Sequence, residues 1–213
     1  DFKKIKYDKQ FPTPFNYSWM NIDSLFIMKP EKYADVKIIL ESIQSWDKIA
    51  SKNSFGAGSY GVLYSKLKKY YKRLPEGKVF TTKILHKALI ETKVHIQENF
   101  GSKLIKLGEF QKLVRGKKEI PIFGLPDVIS SIGSSPYING KTKAVSGESY
   151  IELVKFTPDG VEIESVISYG SSDNPKSVHY NDQMELFSNQ QTKSMTFNKE
   201  EIYKQSKTIY HPK

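Results

Sequence analysis

The sequence predicts an α+β protein, helical in its first half and strand-bearing in its second. Three observations carry this. Apolar residues recur at helical spacing in three stretches between residues 31 and 101. Two runs rich in β-branched and aromatic residues flank a Thr157-Pro158-Asp159-Gly160 turn. Asn198, with Glu201 three residues on, has the pattern of a capping box before a short C-terminal helix.

Taken in order, residues 1–30 carry aromatics and proline without a period. Phe11-Pro12-Thr13-Pro14-Phe15 is expected to be extended, because each proline biases its predecessor away from helix, so this part reads as a strap lying on another surface. Pro30 suits a helix start. Val36, Ile39, Leu40, Ile43 and Trp46 then fall on one face, and the run is expected to end near Ser51-Lys52-Asn53. Gly56-Ala57-Gly58 reads as a break. A second helix is predicted over about 59–74, with Val62, Leu63, Leu67, Tyr70, Tyr71 and Leu74 inward, stopped by Pro75-Glu76-Gly77. Thr81 or Thr82 can cap a third, whose stripe is Leu85, Ala88, Leu89, Thr92 and Ile96 and whose end is Gly101. Residues 31–101 thus form a helical subregion, and 102–213 a region of loops, a hairpin and a C-terminal tail.

Residues 102–146 are punctuated by glycine and proline. The stretch 120–126 cannot be a central strand, because proline lacks the ladder donor. Residues 149–156 and 161–169 make a β-hairpin. In its second strand Val161, Ile163, Ser165 and Ile167 alternate against Glu162, Glu164 and Val166. Residues 170–190 read as a polar loop.

Composition bounds the function. The 213 residues amount to one large domain or two small ones, enough to bury a core without disulfide or metal support. The absence of cysteine excludes disulfide scaffolds, thiolate zinc sites and a cysteine nucleophile. No apolar run approaches the roughly 18 residues of a membrane span. The net charge of +10 invites a nucleic-acid reading, but it is uneven. Residues 1–120 carry 24 Lys+Arg against 12 Asp+Glu, and residues 121–213 carry 9 against 11. The excess is lysine on helices (arginine occurs only at 73 and 115), which suits a solvated surface better than bidentate base or phosphate contacts. No specific nucleic-acid partner is expected. The chain opens on Asp1 rather than Met, so it is expected to be processed or cut from something longer.

Few motifs carry chemistry by themselves. His86 and His95 stand nine residues apart on one helix, hence on opposite faces, which excludes a shared metal site. His179 and Asp182 in Val178-His179-Tyr180-Asn181-Asp182-Gln183 fit an acid/base couple, part of a metal site, or a loop pinned by side-chain hydrogen bonds. The pinned loop is the simplest of the three. Gly56-Ala57-Gly58-Ser59-Tyr60-Gly61 follows a helix, not a strand, and so is no phosphate loop. Gly147-Glu148-Ser149-Tyr150 precedes a strand and so is no nucleophile elbow; its Glu148 and Ser149 fit either projection into a cleft or the ordinary polarity of a strand edge, the simpler of the two.

Five pieces in order carry a resemblance. They are Leu113-Val114-Arg115-Gly116-Lys117-Lys118-Glu119-Ile120-Pro121, Gly124-Leu125-Pro126-Asp127-Val128, Gly147-Glu148-Ser149-Tyr150-Ile151, Tyr169-Gly170-Ser171-Ser172-Asp173-Asn174-Pro175 and Ser177-Val178-His179-Tyr180-Asn181-Asp182-Gln183. Together they resemble the C-terminal part of the catalytic (β) chain of the penicillin amidase family, most closely its acyl-homoserine-lactone and aculeacin acylase-like members. Val178 departs from the proline usual in the last motif. Ser45-Trp46-Asp47, Ser54-Phe55-Gly56-Ala57, Thr196-Phe197, Glu200-Glu201 and Tyr210-His211-Pro212 also fit, so the likeness covers about residues 34–213.

The resemblance implies the C-terminal part of an N-terminal nucleophile hydrolase with a four-layer αββα core. In that chemistry an exposed N-terminal Ser attacks an amide carbonyl. Its own α-amino group is the base, and an Asn side chain and a backbone N–H hold the oxyanion. The family's nucleophile and oxyanion groups lie upstream of the matched part, and Asp1 has neither hydroxyl nor thiol, so no catalytic nucleophile is located here. The chain is expected to be a fragment, inactive alone, whose partners are the α chain, the N-terminal part of the catalytic chain and a small N-acyl substrate such as an acyl-homoserine lactone or penicillin-like amide. Glu148 is the candidate for a carboxylate orienting a histidine near the nucleophile. Ser149, Tyr150, His179, Tyr180, Asp182 and Gln183 are assigned to the pocket or to structural pinning. The family implies export to the periplasm. Some members hold a structural calcium, but no cluster of oxygen ligands in this sequence supports one, and no cofactor is expected. The competing readings are a non-catalytic basic binding module, which salt-sensitive retention on heparin or DNA would favour, and a degenerate homologue serving as an interaction subunit.

Overall fold

The structure, a computed structural model, describes residues 2–12, 22–71, 74, 79–206 and 208. The chain divides into two compact units, Asp1–Glu148 and Ser149–Lys213.

The first unit holds helices α1 (Phe2–Lys6), α2 (Asp23–Ile27), α3 (Lys37–Gln44), α4 (Phe55–Tyr71), α5 (Thr82–Phe100) and α6 (Leu107–Phe110), with one 3-10 turn at Pro30–Lys32. Its strands are β1 (Gln111–Arg115), β2 (Lys118–Pro121), β3 (Ile132–Pro136) and β4 (Thr142–Gly147). They form one sheet in the order β2-β1-β4-β3, antiparallel except for the β1–β4 pair. Pro121 ends β2 at the sheet's edge, where a missing N–H costs no ladder bond. The glycine- and proline-punctuated region therefore hides a small sheet, whose strands are too short and too polar to show an alternation.

The predicted stripes are the core. Val36, Ile39, Leu40, Ile43 and Trp46 of the first stretch, Val62, Leu63 and Leu67 of the second, and Leu85, Ala88, Leu89, Thr92 and Ile96 of the third are all buried. Tyr70, Tyr71 and Leu74 pack half-buried against them. Thr81 caps α5 by accepting from Ile84 N (3.4 Å), and Gly101 ends it at φ +61°, a left-handed conformation that glycine adopts without strain.

Three helix boundaries differ from expectation. Pro30 opens only a 3-10 turn, Pro30–Lys32, and α3 begins at Lys37. α3 stops at Gln44 rather than near residues 51–53, because Asp47 accepts from Ile49 N (2.9 Å) and Lys48 turns the chain at φ +65°. Gly56-Ala57-Gly58 does not break the chain but lies inside α4, whose start Ser54 caps by accepting from Ala57 N (3.1 Å). The small residues are there for contact. A Cβ at position 56 would sit 2.4 Å from Trp46 Cβ, and one at 58 would sit 2.0 Å from the Ile105 carbonyl oxygen.

The N-terminal segment is not extended throughout, since residues 2–6 and 23–27 form short helices. Residues 8–11 lie against the rest of the unit through backbone bonds. Ala50 N donates to Lys9 O (2.9 Å), Phe11 N to Lys48 O (3.0 Å) and Ser130 N to Asp8 O (2.9 Å). Phe11 is buried edge-on against Trp46 and Tyr60, at 5.5 and 6.0 Å between ring centroids. The Thr13-Pro14-Phe15 part of the strap, Arg73, the Pro75-Glu76-Gly77 stop and the Tyr210-His211-Pro212 tail lie outside the described residues.

The second unit holds β5 (Tyr150–Thr157), β6 (Gly160–Ile167), α7 (Met184–Ser188), β7 (Lys193–Met195) and α8 (Lys199–Gln205). The predicted hairpin is β5–β6, in register from Tyr150↔Ile167 to Thr157↔Gly160, and β7 adds to β6 antiparallel. The expected alternation in β6 holds only in part. Ile163 and Ser165 are buried, Val161 at the turn is exposed, and Val166 is buried on the opposite face. Residues 170–190 are not all loop, because Met184 and Phe187 bury one side of α7, a helix too short to betray its period. Asn198 caps α8 as predicted, accepting from Glu200 N and Glu201 N at 2.9 and 3.2 Å.

Candidate functional site

Glu148 is the last residue of the first unit, directly after β4, where Gly147 at φ +136° brings the backbone against Ser131 O. The Glu148 Oε1 atom pairs with the Lys6 ammonium, and the pair is half-buried. Ser130 fixes the donor's position, its hydroxyl donating to Lys6 O (3.0 Å). The candidate orienting carboxylate is thus anchored by the N-terminal helix. Lys6 gave no signal in the sequence, being one lysine among several in a basic stretch.

The remaining candidates belong to the second unit. Ser149 O accepts from Ser168 N (3.2 Å) and so closes the end of the β5–β6 ladder. Tyr150 is exposed on β5. The return loop folds on itself. His179 Nδ1 lies 2.8 Å from Asp182 Oδ2, His179 N donates to Ser177 Oγ (3.1 Å), and Tyr180 N donates to Ser177 O (3.2 Å). Gln183 is buried. Its N donates to Tyr169 O (2.8 Å) and its Oε1 accepts from Ile167 N (3.2 Å), tying the loop to the end of β6. Gly170 permits the closeness, for a Cβ there would stand 2.2 Å from His179 O and 2.7 Å from Asp182 Oδ1. The structure therefore brings His179, Asp182 and Gln183 together. Their hydrogen bonds join His179 to Asp182 and Gln183 to the backbone at the end of β6.

The two histidines of α5 do serve different faces. His86 Nε2 pairs with Asp35 (2.9 Å to Oδ2). His95 Nε2 donates to Gly140 O (2.7 Å), and Nδ1 accepts from Lys66 Nζ (3.0 Å). Burial, with the Lys66 ammonium second, holds His95 below the ordinary imidazole range. Among the described residues no group of three or more His, Asp or Glu side chains could hold a metal ion, and no helix is long and apolar enough to cross a membrane.

The first unit also contains a cleft of about 370 Å³ between α4 and the β3–β4 pair, walled by Gly61, Tyr64, Lys68, Gln111, Ile132 and Val145. Burial, with the Asp127 carboxylate second, pushes the Tyr64 hydroxyl up to about 12, so it stays a neutral donor. The sequence gave no sign of this cleft, because its walls come from segments far apart in the chain.

The fold is a mixed α+β one, with a helical unit carrying a small sheet and a second unit built on a hairpin. The sequence model of the penicillin amidase family matches residues 10–204, and the chain belongs to that family. It is 33% identical over 100 residues to an acyl-homoserine lactone acylase PvdQ of Pseudomonas syringae pv. syringae, covering 46% of this chain and 13% of that protein. It is 25% identical over 189 residues to the PvdQ acylase of Pseudomonas putida, covering 79% of this chain and 24% of that protein. The chain therefore spans at most about a quarter of the length of these relatives. A thermostable penicillin G acylase from Alcaligenes faecalis superimposes with a TM-score of 0.41 at 14% identity, covering 92% of this chain and 47% of that one.

Proposed function

We propose that this chain is the C-terminal part of an amide hydrolase that cleaves N-acyl bonds, such as those of acyl-homoserine lactones or penicillin-like amides. The nucleophilic Ser is supplied by the remainder of the enzyme. The observation that carries this reading is the family match over residues 10–204, within which five motif pieces recur in order. In the proposed reaction the Ser hydroxyl adds to the acyl carbonyl while its α-amino group takes the proton. That proton then passes to the departing amine, and water releases the acyl chain from the ester. The present chain contributes support. The His179–Gln183 loop holds the end of β6, and Glu148, its Oε1 engaged by Lys6, is proposed to orient a histidine near the nucleophile. Export to the periplasm belongs to the same proposal.

The test compares the purified chain with the complete polypeptide on an acyl-homoserine lactone and a chromogenic acyl amide. The complete polypeptide is expected to turn over and the chain alone is not. Turnover by the chain alone would sink the proposal. Glu148→Gln in the complete enzyme is expected to lower kcat by about tenfold or more, the scale of a lost orienting carboxylate. An unchanged rate in a folded variant would end the assignment.

A further inference from the structure

β5 stands at the edge of the second unit's sheet, in the order β5-β6-β7. The ladder fixes which backbone groups it leaves open. Ser168 N donates to Ser149 O, whereas Ile167 N, one step back and opposite Tyr150, turns away to Gln183 Oε1. In an antiparallel pair the bonded residues alternate. The odd-numbered residues of β5 therefore face β6, and the N–H and C=O groups of Tyr150, Glu152, Val154 and Phe156 point off the free edge. The same four side chains share one face of the sheet. Three of them are large and apolar yet open to solvent: Phe156 is 81% exposed, Tyr150 53% and Val154 45%.

An eight-residue edge with an apolar face is a template for another strand. The second unit has little core of its own. Among its described residues five apolar side chains are buried, Ile151, Ile163, Val166, Met184 and Phe187, against nine large ones exposed. A unit of this size with so few buried groups does not hold itself together by burial alone. Apart from the charge of Glu152, the edge lacks the usual protections. β5 has no proline and no bulge, and its only lysine, Lys155, projects from the other face.

We propose that the free edge of β5 is the docking site for a strand of the remaining acylase polypeptide, which adds beside Tyr150, Glu152, Val154 and Phe156. The proposal rests on the reading that this chain is one part of a longer enzyme, which the relatives' length supports, since the chain spans 13% and 24% of the two described above. The chemistry of the incoming strand follows from the edge. It carries apolar or aromatic side chains opposite Tyr150, Val154 and Phe156, and Lys or Arg opposite Glu152.

The test co-expresses the chain with the remainder of its own acylase and follows amide exchange at single-residue resolution. The amides of Tyr150, Glu152, Val154 and Phe156 are expected to exchange rapidly in the isolated chain and at least about 100-fold more slowly in the complex. Val154→Pro removes one outward donor and no β5–β6 bond. It is expected to keep the stability of the isolated chain while weakening association about tenfold or more, with Val154→Thr as the control that still associates. A complex that forms and hydrolyses acyl amides while the four amides stay fast would overturn the proposal, as would Val154→Pro associating like the parent. Self-association of the chain through β5 that persists when the remainder is present would assign the edge to a second copy and overturn it too. A complex that protects the four amides but hydrolyses no amide would refute the acylase reading and leave the docking edge established.

Discussion

Gly58→Ala places one methyl group where the chain has no room. An ideal Cβ at that position lies 2.0 Å from Ile105 O, 2.8 Å from Lys106 C and 2.9 Å from Ile105 C, all backbone atoms that cannot swing aside. The segment they belong to is tied to the approach of α4 by Leu107 N donating to Ser54 O (3.0 Å) and Gly108 N to Lys52 O (2.8 Å). Relief therefore stretches those bonds. Alanine in a helix interior gains roughly 0.8–1 kcal/mol over glycine. Overpacking costs about 1–3 kcal/mol, the upper end applying when backbone is the obstacle, and a weakened tie adds about 1 kcal/mol. The net expectation is a loss of about 2–3 kcal/mol, or about 4–12 °C in Tm for a chain of this size. Gly61→Ala, one turn along the same helix, is the internal control. Its Cβ meets the flexible tip of Leu107 at 3.3 Å, so propensity and crowding nearly cancel, within about 0.5 kcal/mol. Urea unfolding followed by helical ellipticity measures both. If Gly58→Ala proves as stable as Gly61→Ala, the close-approach explanation of these glycines is wrong.

Gln111 is 2% exposed and donates through Nε2 to Phe123 O (3.1 Å) and Gly124 O (2.7 Å) while its Oε1 accepts from Ser134 Oγ (2.8 Å). Gln111→Ala strands three polar groups, two buried and one half-buried, and is expected to cost about 2–4 kcal/mol in the same urea assay; less than 1 would show that the network carries no stability. His95 binds its proton less readily in the fold than its ordinary 6.5. Its stabilising contribution is therefore intact above about pH 6.5 and falls as pH drops below that. His95→Gln should flatten the stability–pH profile between about pH 7 and 5, and parallel profiles would refute the assignment. His179→Ala in the complete enzyme is expected to lower stability by about 1 kcal/mol and leave activity per folded molecule nearly unchanged. A large kcat loss with unchanged Tm would make His179 catalytic instead.

What the sequence disclosed depended on the length of the signal. α5 was legible nearly to its caps, because four apolar residues and Thr92 recur at helical spacing over 12 residues, with a threonine pair before them and Gly101 after. The β5–β6 hairpin was legible from its turn. α4 was misread at its start, since a glycine's local preference to break a helix is outweighed by the space that Trp46 and Ile105 leave, and that space depends on residues elsewhere in the chain. The first sheet escaped for a related reason: its β1–β4 pair joins Gln111 to Thr142 across two intervening strands, β2 and β3, and no local pattern encodes such pairing. At the candidate site the His179–Asp182 spacing was visible, but the Lys6 partner of Glu148 was not, because 142 residues separate the two.

That separation also sets an order of events during synthesis. Lys6 meets Ser130 only after 124 further residues have been made, and Glu148 after 142. At about 5–20 residues per second, the amino-terminal lysine waits roughly 7–28 s on the ribosome before its last partner exists. Phe11 finds Trp46 and Tyr60 far sooner. Phe11 can therefore dock early, whereas the Lys6 contacts cannot form before the whole of the first unit has been made.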